Sequence, residues 1–209
     1  MNANQLAKML GDACYGFLAI NFLWGLYHLI LGFRRVNEMR FSSQDEQTEF
    51  MEEIMPPLRV ANYAAVEQLC EDDTRALPQL VHMAVANRGV GHDQLRQLVT
   101  EVVQRDVLCD LEYRTSWVAT VIKSGPLLGL FGTVLGMMAA FGRIGTGEKV
   151  QPSQIAGEIS VALICTAMGL ATAIPFNFML ASLNAKIRKF QDALGAGLVR
   201  VLDALKTAR

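Results

Sequence analysis

Three side chains in this 209-residue chain have the chemistry to pass a proton through an apolar setting: Thr133, Thr166 and Glu158. A threonine hydroxyl donates and accepts, so a buried one can relay a proton or hold a water, while a carboxylate can carry the charge itself. Thr133 stands among Gly125, Gly129, Gly132, Gly136 and Ala140, which repeat every three or four residues. Thr166 stands in a similar stripe with Ala162, Gly169 and Ala173, ahead of Pro175, where a bend is expected. Glu158 precedes Thr166 by two turns, at the mouth of the same segment. Each has a plainer role beside the chemical one. A buried threonine can bond its own i−4 carbonyl, and Glu158 can be a solvated residue at a helix start. No Asp, Glu, Lys or Arg lies inside the apolar stretches, so this chain alone lacks the usual intramembrane proton carrier.

The elements that must position these residues are three runs without a charged residue, 13–33, 124–142 and 159–185. Apolar runs of roughly 18 residues or more cross the hydrocarbon core as helices, and small residues at helical spacing let such helices pack closely. The expectation is an all-α integral membrane protein with three transmembrane helices and long helical extensions outside the bilayer. Hydrophobic residues make up 52% of the chain and charged ones 19%; a net charge of −1 supplies no broad basic surface for nucleic acid. The first run is too long for a signal-peptide core and is followed by Arg34, Arg35 and Arg40, so it is expected to be a retained anchor. Lys and Arg concentrate after the first and third runs, which places those flanks in the cytoplasm and the N-terminus in the periplasm.

The organisation expected is a periplasmic segment 1–12, spans at 13–33, 124–142 and 156–182, a cytoplasmic helical domain 34–123, a periplasmic loop 143–155 and a cytoplasmic helix 183–209. Within 34–123, Pro56 and Pro57 are expected to break the helix that follows the acidic run 45–53. Residues 58–71 and 75–87 read as short amphipathic helices, and 88–91 as a turn. From His92 a longer helix carries Leu95, Leu98, Val99, Val102 and Val103 on one face, with Glu101/Arg105 and Asp110/Arg114 as i,i+4 pairs, and runs unbroken into the second span. Gly195 and Gly197 weaken the last helix. Cys14, Cys70, Cys109 and Cys165 form no CxxC motif and read as packing residues; His82 and His92 lack metal-ligand spacing, and His28 reads as a packing or interfacial residue. The run 142–149 lacks the Gly-Lys-Ser/Thr of a phosphate loop, and no nucleophile–base set can be assembled. Neither enzyme, metal nor cofactor is expected.

The second run contains Gly125-Pro126-Leu127-Leu128-Gly129-Leu130-Phe131-Gly132-Thr133-Val134-Leu135-Gly136-Met137, and the third contains Ala162-Leu163-Ile164-Cys165-Thr166-Ala167-Met168-Gly169-Leu170, then Ala173-Ile174-Pro175. This pair of motifs resembles the MotA/TolQ/ExbB proton-channel proteins over about residues 105–190, and the three-run length resembles the TolQ/ExbB branch. The resemblance implies a homo-pentameric ring in the bacterial inner membrane. Its second and third spans would line a pore holding two copies of an ExbD/TolR-like single-span partner, whose aspartate carries the proton past Thr133 and Thr166. It further implies that proton flow drives envelope work or protein transport through TonB- or TolA-like proteins. One position departs from the pattern: a Glu usual before the Ala-Leu of the third span is Val161 here, and Glu158, one turn earlier, is the candidate to compensate. The alternatives are a non-conducting scaffold that uses the same motifs to hold a partner helix, and a MotA-like motility stator.

Overall fold

The computed structural model describes residues 3–145 and 151–207; the expected loop 143–155 therefore lies partly outside the described residues. Helices account for nearly all of it: α1 (Ala3–Met39), α2 (Gln44–Arg59), α3 (Tyr63–Glu71), α4 (Ala76–Ala86), α5 (His92–Val102), a π-helical stretch (Val103–Leu108), α6 (Cys109–Gly145) and α7 (Pro152–Thr207). No strand occurs among the described residues. Three helical stretches are long and apolar enough to cross a membrane, and only 28–33% of their most apolar windows is buried by the chain itself. The chain divides into two compact units. A spanning unit comprises Met1–Ile30 and Thr115–Ser182; a hydrophilic unit comprises Leu31–Arg114 and Leu183–Arg209.

In the spanning unit α1, α6 and α7 pack through small residues. A Cβ on Gly25 would meet Val121 and Phe176 side chains at 2.7 and 3.2 Å, so α1 approaches both other helices at a glycine. Further along α1, His28 is buried beside Trp24 and Tyr27 and stacks on Trp117 of α6 at 5.9 Å. This is the packing role its sequence position suggests.

The hydrophilic unit has a conventional apolar core in which Val36, Ile54, Leu58, Val66, Val81, Val99, Leu111, Leu183 and Val201 are almost wholly enclosed. Burial of such side chains stabilises by roughly 1.5–3 kcal/mol each. Helix α2 begins at Ser43, whose hydroxyl accepts from the Asp45 amide, while the Glu46 carboxylate accepts from the Ser42 amide at 2.8 Å. This reciprocal cap leaves few orphan donors. Arg75 ties the segment before α4 to α2: it donates to Glu46 and to both Asp73 oxygens, and its guanidinium lies 4.0 Å over the Phe41 ring. The Ser42 amide and Arg75 hold the Glu46 carboxyl below the ordinary range, and the Arg75 hydrogen bonds do the same for Asp73.

Two local expectations are corrected. Pro56 and Pro57 do not break α2, which continues to Arg59. Each proline removes its own amide and crowds the carbonyl four residues back, but those carbonyls, on Glu52 and Glu53, belong to exposed residues that water can satisfy. The helix stops instead at a double hydrogen bond, Ala61 to the Leu58 carbonyl and Asn62 to the Pro57 carbonyl, with Ala61 in the left-handed region at φ 55°. Helix α3 consequently starts at Tyr63, five residues later than expected, capped by the Asn62 side chain.

The helix from His92 carries no interruption, but it widens into the π-helical stretch at Val103. Inside that stretch Arg105 pairs with its neighbour Asp106 at 2.9 Å rather than with Glu101. Asp110 and Arg114, beyond the stretch, form their expected pair at 3.0 Å. Helix α7 runs through Pro175, Gly195 and Gly197 without interruption. Gly197 is where α7 approaches α4: a Cβ there would lie 2.9 Å from Leu77. Among the cysteines, Cys14, Cys70 and Cys165 are buried, whereas Cys109 is exposed and is not a packing residue. Burial and nearby Asp73 push the Cys70 thiol up to about 11.

Candidate functional site

The motif residues of the spanning unit meet along one antiparallel crossing of α6 and α7. Gly125 and Gly169 face each other so closely that a Cβ on Gly169 would lie 2.5 Å from the Gly125 carbonyl oxygen. One turn on, a Cβ on Gly129 would lie 2.7 Å from the Cys165 carbonyl oxygen and 2.8 Å from the Thr166 Cα. Gly132 sits against the Cys165 side chain, and a Cβ on Gly136 would overlap the Ala162 methyl at 2.5 Å. Positions rise along α6 as they fall along α7, and at each contact the obstacle is backbone or a short side chain. Only glycine fits. Ala140 and Ala173 are also buried, while Pro175 is exposed on the opposite side of α7.

The two threonines differ within this crossing. Thr133 is 5% exposed, and its Oγ1 donates to the Leu130 carbonyl of its own helix at 2.7 Å. The Thr166 Oγ1 is shielded completely and has no hydrogen-bond partner among the described residues. A shielded hydroxyl left in that state costs about 1–3 kcal/mol, and self-bonding to an i−4 carbonyl would ordinarily avoid it. Thr172, two turns along α7, makes that bond, donating to the Met168 carbonyl at 2.9 Å. Glu158 is half-buried on α7, and its carbonyl lies 3.9 Å from where a Gly136 Cβ would be. Val161 turns its side chain outward, while its carbonyl accepts from the Tyr15 hydroxyl at 2.8 Å.

Sequence reasoning missed one polar contact here. Asn21 of α1 accepts from the Ser124 hydroxyl at 2.8 Å and donates to the Val121 carbonyl at 3.3 Å. Its amide nitrogen lies 3.7 Å from where a Gly125 Cβ would stand, so one carboxamide ties α1 to α6 at the tightest point of the α6–α7 contact. The available signal was an isolated amide inside the charge-free run 13–33. Among the described residues no group of three or more His, Cys, Asp or Glu is arranged to hold a metal.

Three helices long and apolar enough to cross a membrane, packed on one another through glycine, define a polytopic helical membrane protein. The model of the MotA/TolQ/ExbB proton channel family matches residues 71–195, and the chain belongs to that family. It is similar to the Tol-Pal system protein TolQ of Haemophilus influenzae, 36% identical over 85 residues, covering 41% of this chain and 37% of that protein. It is similar also to the biopolymer transport protein ExbB of Neisseria gonorrhoeae, 33% over 90 residues (41% and 39% covered), and to ExbB of Aquifex aeolicus, 38% over 90 residues (41% and 61%). The chain thus matches less than two thirds of these relatives' own length. These likenesses support the TolQ/ExbB branch, whose members are inner-membrane proteins.

Proposed function

We propose that the protein is the channel-forming subunit of an inner-membrane motor that uses the proton motive force for envelope work of the Tol or Exb kind. It assembles as a homo-pentamer around a dimer of an ExbD/TolR-like single-span protein. That partner supplies the carboxylate which the charge-free runs 13–33, 124–142 and 159–185 lack. The N-terminus and the α6–α7 connection face the periplasm, the hydrophilic unit faces the cytoplasm, and a TonB- or TolA-like protein receives the work. Thr133 and Thr166 border the proton path, with Glu158 at its periplasmic mouth in place of a carboxylate at Val161. The reaction is translocation, with no covalent chemistry and no cofactor.

The observation that supports this reading most is the Thr166 hydroxyl, shut away from solvent in a crossing packed through glycine, yet bonded to nothing in its own chain among the described residues. A hydroxyl of that kind is poised for a group from another chain. The test is co-reconstitution into vesicles with the single-span partner, followed by dye-reported proton uptake under an imposed potential. Flux from the complex, and none from either protein alone, is expected. A stable complex that leaves the vesicles proton-tight would make the protein a scaffold instead.

A further inference from the structure

The hydrophilic unit contains a cavity of about 590 Å³ whose walls come from the end of α1, the start of α2, and α4 and α7. Arg40 and Lys189 line it together with Phe41, Phe190, Gln44 and Asp192. Of the basic residues that follow the first and third spans, Arg34 pairs with Glu38, Arg35 lies 3.6 Å from Asp110, and Lys186 sits 5.0 Å over the Phe33 ring. Arg40 and Lys189 form no ion pair among the described residues. Two unneutralised cations therefore share a cavity with one carboxylate and two aromatic walls.

In the sequence, Arg40 follows the uncharged run of α1 by seven residues and Lys189 follows that of α7 by four, and long basic side chains beside an apolar run reach toward a lipid headgroup layer. We propose that this cavity seats the headgroup of an anionic phospholipid from the adjoining leaflet. Its phosphate is held by Arg40 and Lys189, its glycerol backbone lies against Phe41 and Phe190, and Asp192 and Gln44 bond the headgroup hydroxyls. A soluble phosphate would use the two cations but not the aromatic walls, so the lipid is the occupant the whole lining fits.

The test uses the full chain in detergent, its thermal midpoint followed as phosphatidylglycerol, phosphatidylcholine, inorganic phosphate or glycerol 3-phosphate is added. Phosphatidylglycerol is expected to stabilise and phosphatidylcholine not. Arg40→Gln/Lys189→Gln is expected to require about tenfold more phosphatidylglycerol for the same shift. The charge-conserving pair Arg40→Lys/Lys189→Arg should retain the response. So should Arg59→Gln/Arg200→Gln, which removes as much charge from a different cavity, where Arg200 lies fifteen residues past the apolar run. An undiminished response in Arg40→Gln/Lys189→Gln, or equal stabilisation by phosphatidylcholine, would overturn the site. An equal shift with inorganic phosphate or glycerol 3-phosphate would overturn the lipid as its occupant.

Discussion

The two units are built by opposite rules. In the hydrophilic unit large aliphatic side chains fill the interior and charges pair on the outside, as with Arg75, Asp73 and Glu46. In the spanning unit glycine and alanine line the α6–α7 crossing; Leu18, Leu29, Val118, Val121 and Phe176 are buried too, but many large side chains point outward. Among the described residues, the exposed large apolar side chains include Phe17, Leu23, Leu127, Phe131, Leu163 and Phe178 there, against Val60, Leu69, Val90, Tyr113 and Val199 in the other unit. Water drives the first arrangement. Lipid is as apolar as leucine, so helices inside it gain from close contact and shared hydrogen bonds instead.

That contrast sets which substitutions should hurt. Ile54→Ala empties a fully enclosed site in the hydrophilic unit and should cost about 2–5 kcal/mol, read as a lowered midpoint in chemical denaturation. The reverse change matters in the spanning unit. Gly169→Val drives a side chain onto the Gly125 carbonyl and should cost about 1–3 kcal/mol, with reduced folded yield in detergent. An Ile54→Ala protein as stable as the parent, or a tolerated Gly169→Val, would break the comparison from either side. Asn21→Leu swaps a shared hydrogen bond for apolar bulk and should cost about 1 kcal/mol, visible as a lower melting temperature. Smallest, and opposite in sign, Ala61→Gly relieves the left-handed backbone at the end of α2 and should stabilise by about 0.5–1 kcal/mol, seen as a slightly raised melting temperature.

Much of this was legible in the residues where composition alone decides the outcome. A charge-free run of about 18 residues or more is long enough to cross a bilayer, and glycines at three- and four-residue spacing favour close contact with a neighbouring helix, so the spanning helices and the 125–136 stripe come from run length and periodicity. What escaped depends on partners distant in sequence or on fine helix geometry. Asn21 meets Ser124 across 103 positions, and nothing local marks the pair. The π-helical stretch contains no glycine or proline, so it could not be read from breakers, and inside it Arg105 pairs with Asp106 rather than with Glu101. The end of α2 depended on one alanine accepting a left-handed φ, while the two prolines that read as breakers cost only amides near water. Thr133 and Thr166 look alike in their motifs, and only side-chain placement separates the self-bonded hydroxyl from the waiting one.

The central claim is that the Thr166 hydroxyl serves transport while Thr172, on the same helix, serves only itself. The measurement is partner-dependent proton flux in vesicles for Thr166→Val and Thr172→Val, each compared with the parent at equal amounts of assembled complex. The account predicts that Thr166→Val lowers flux at least about tenfold, a floor below the roughly 10²–10⁴-fold that a positioned proton-transfer group contributes, while Thr172→Val stays near the parent rate. Equal flux from all three proteins would contradict it.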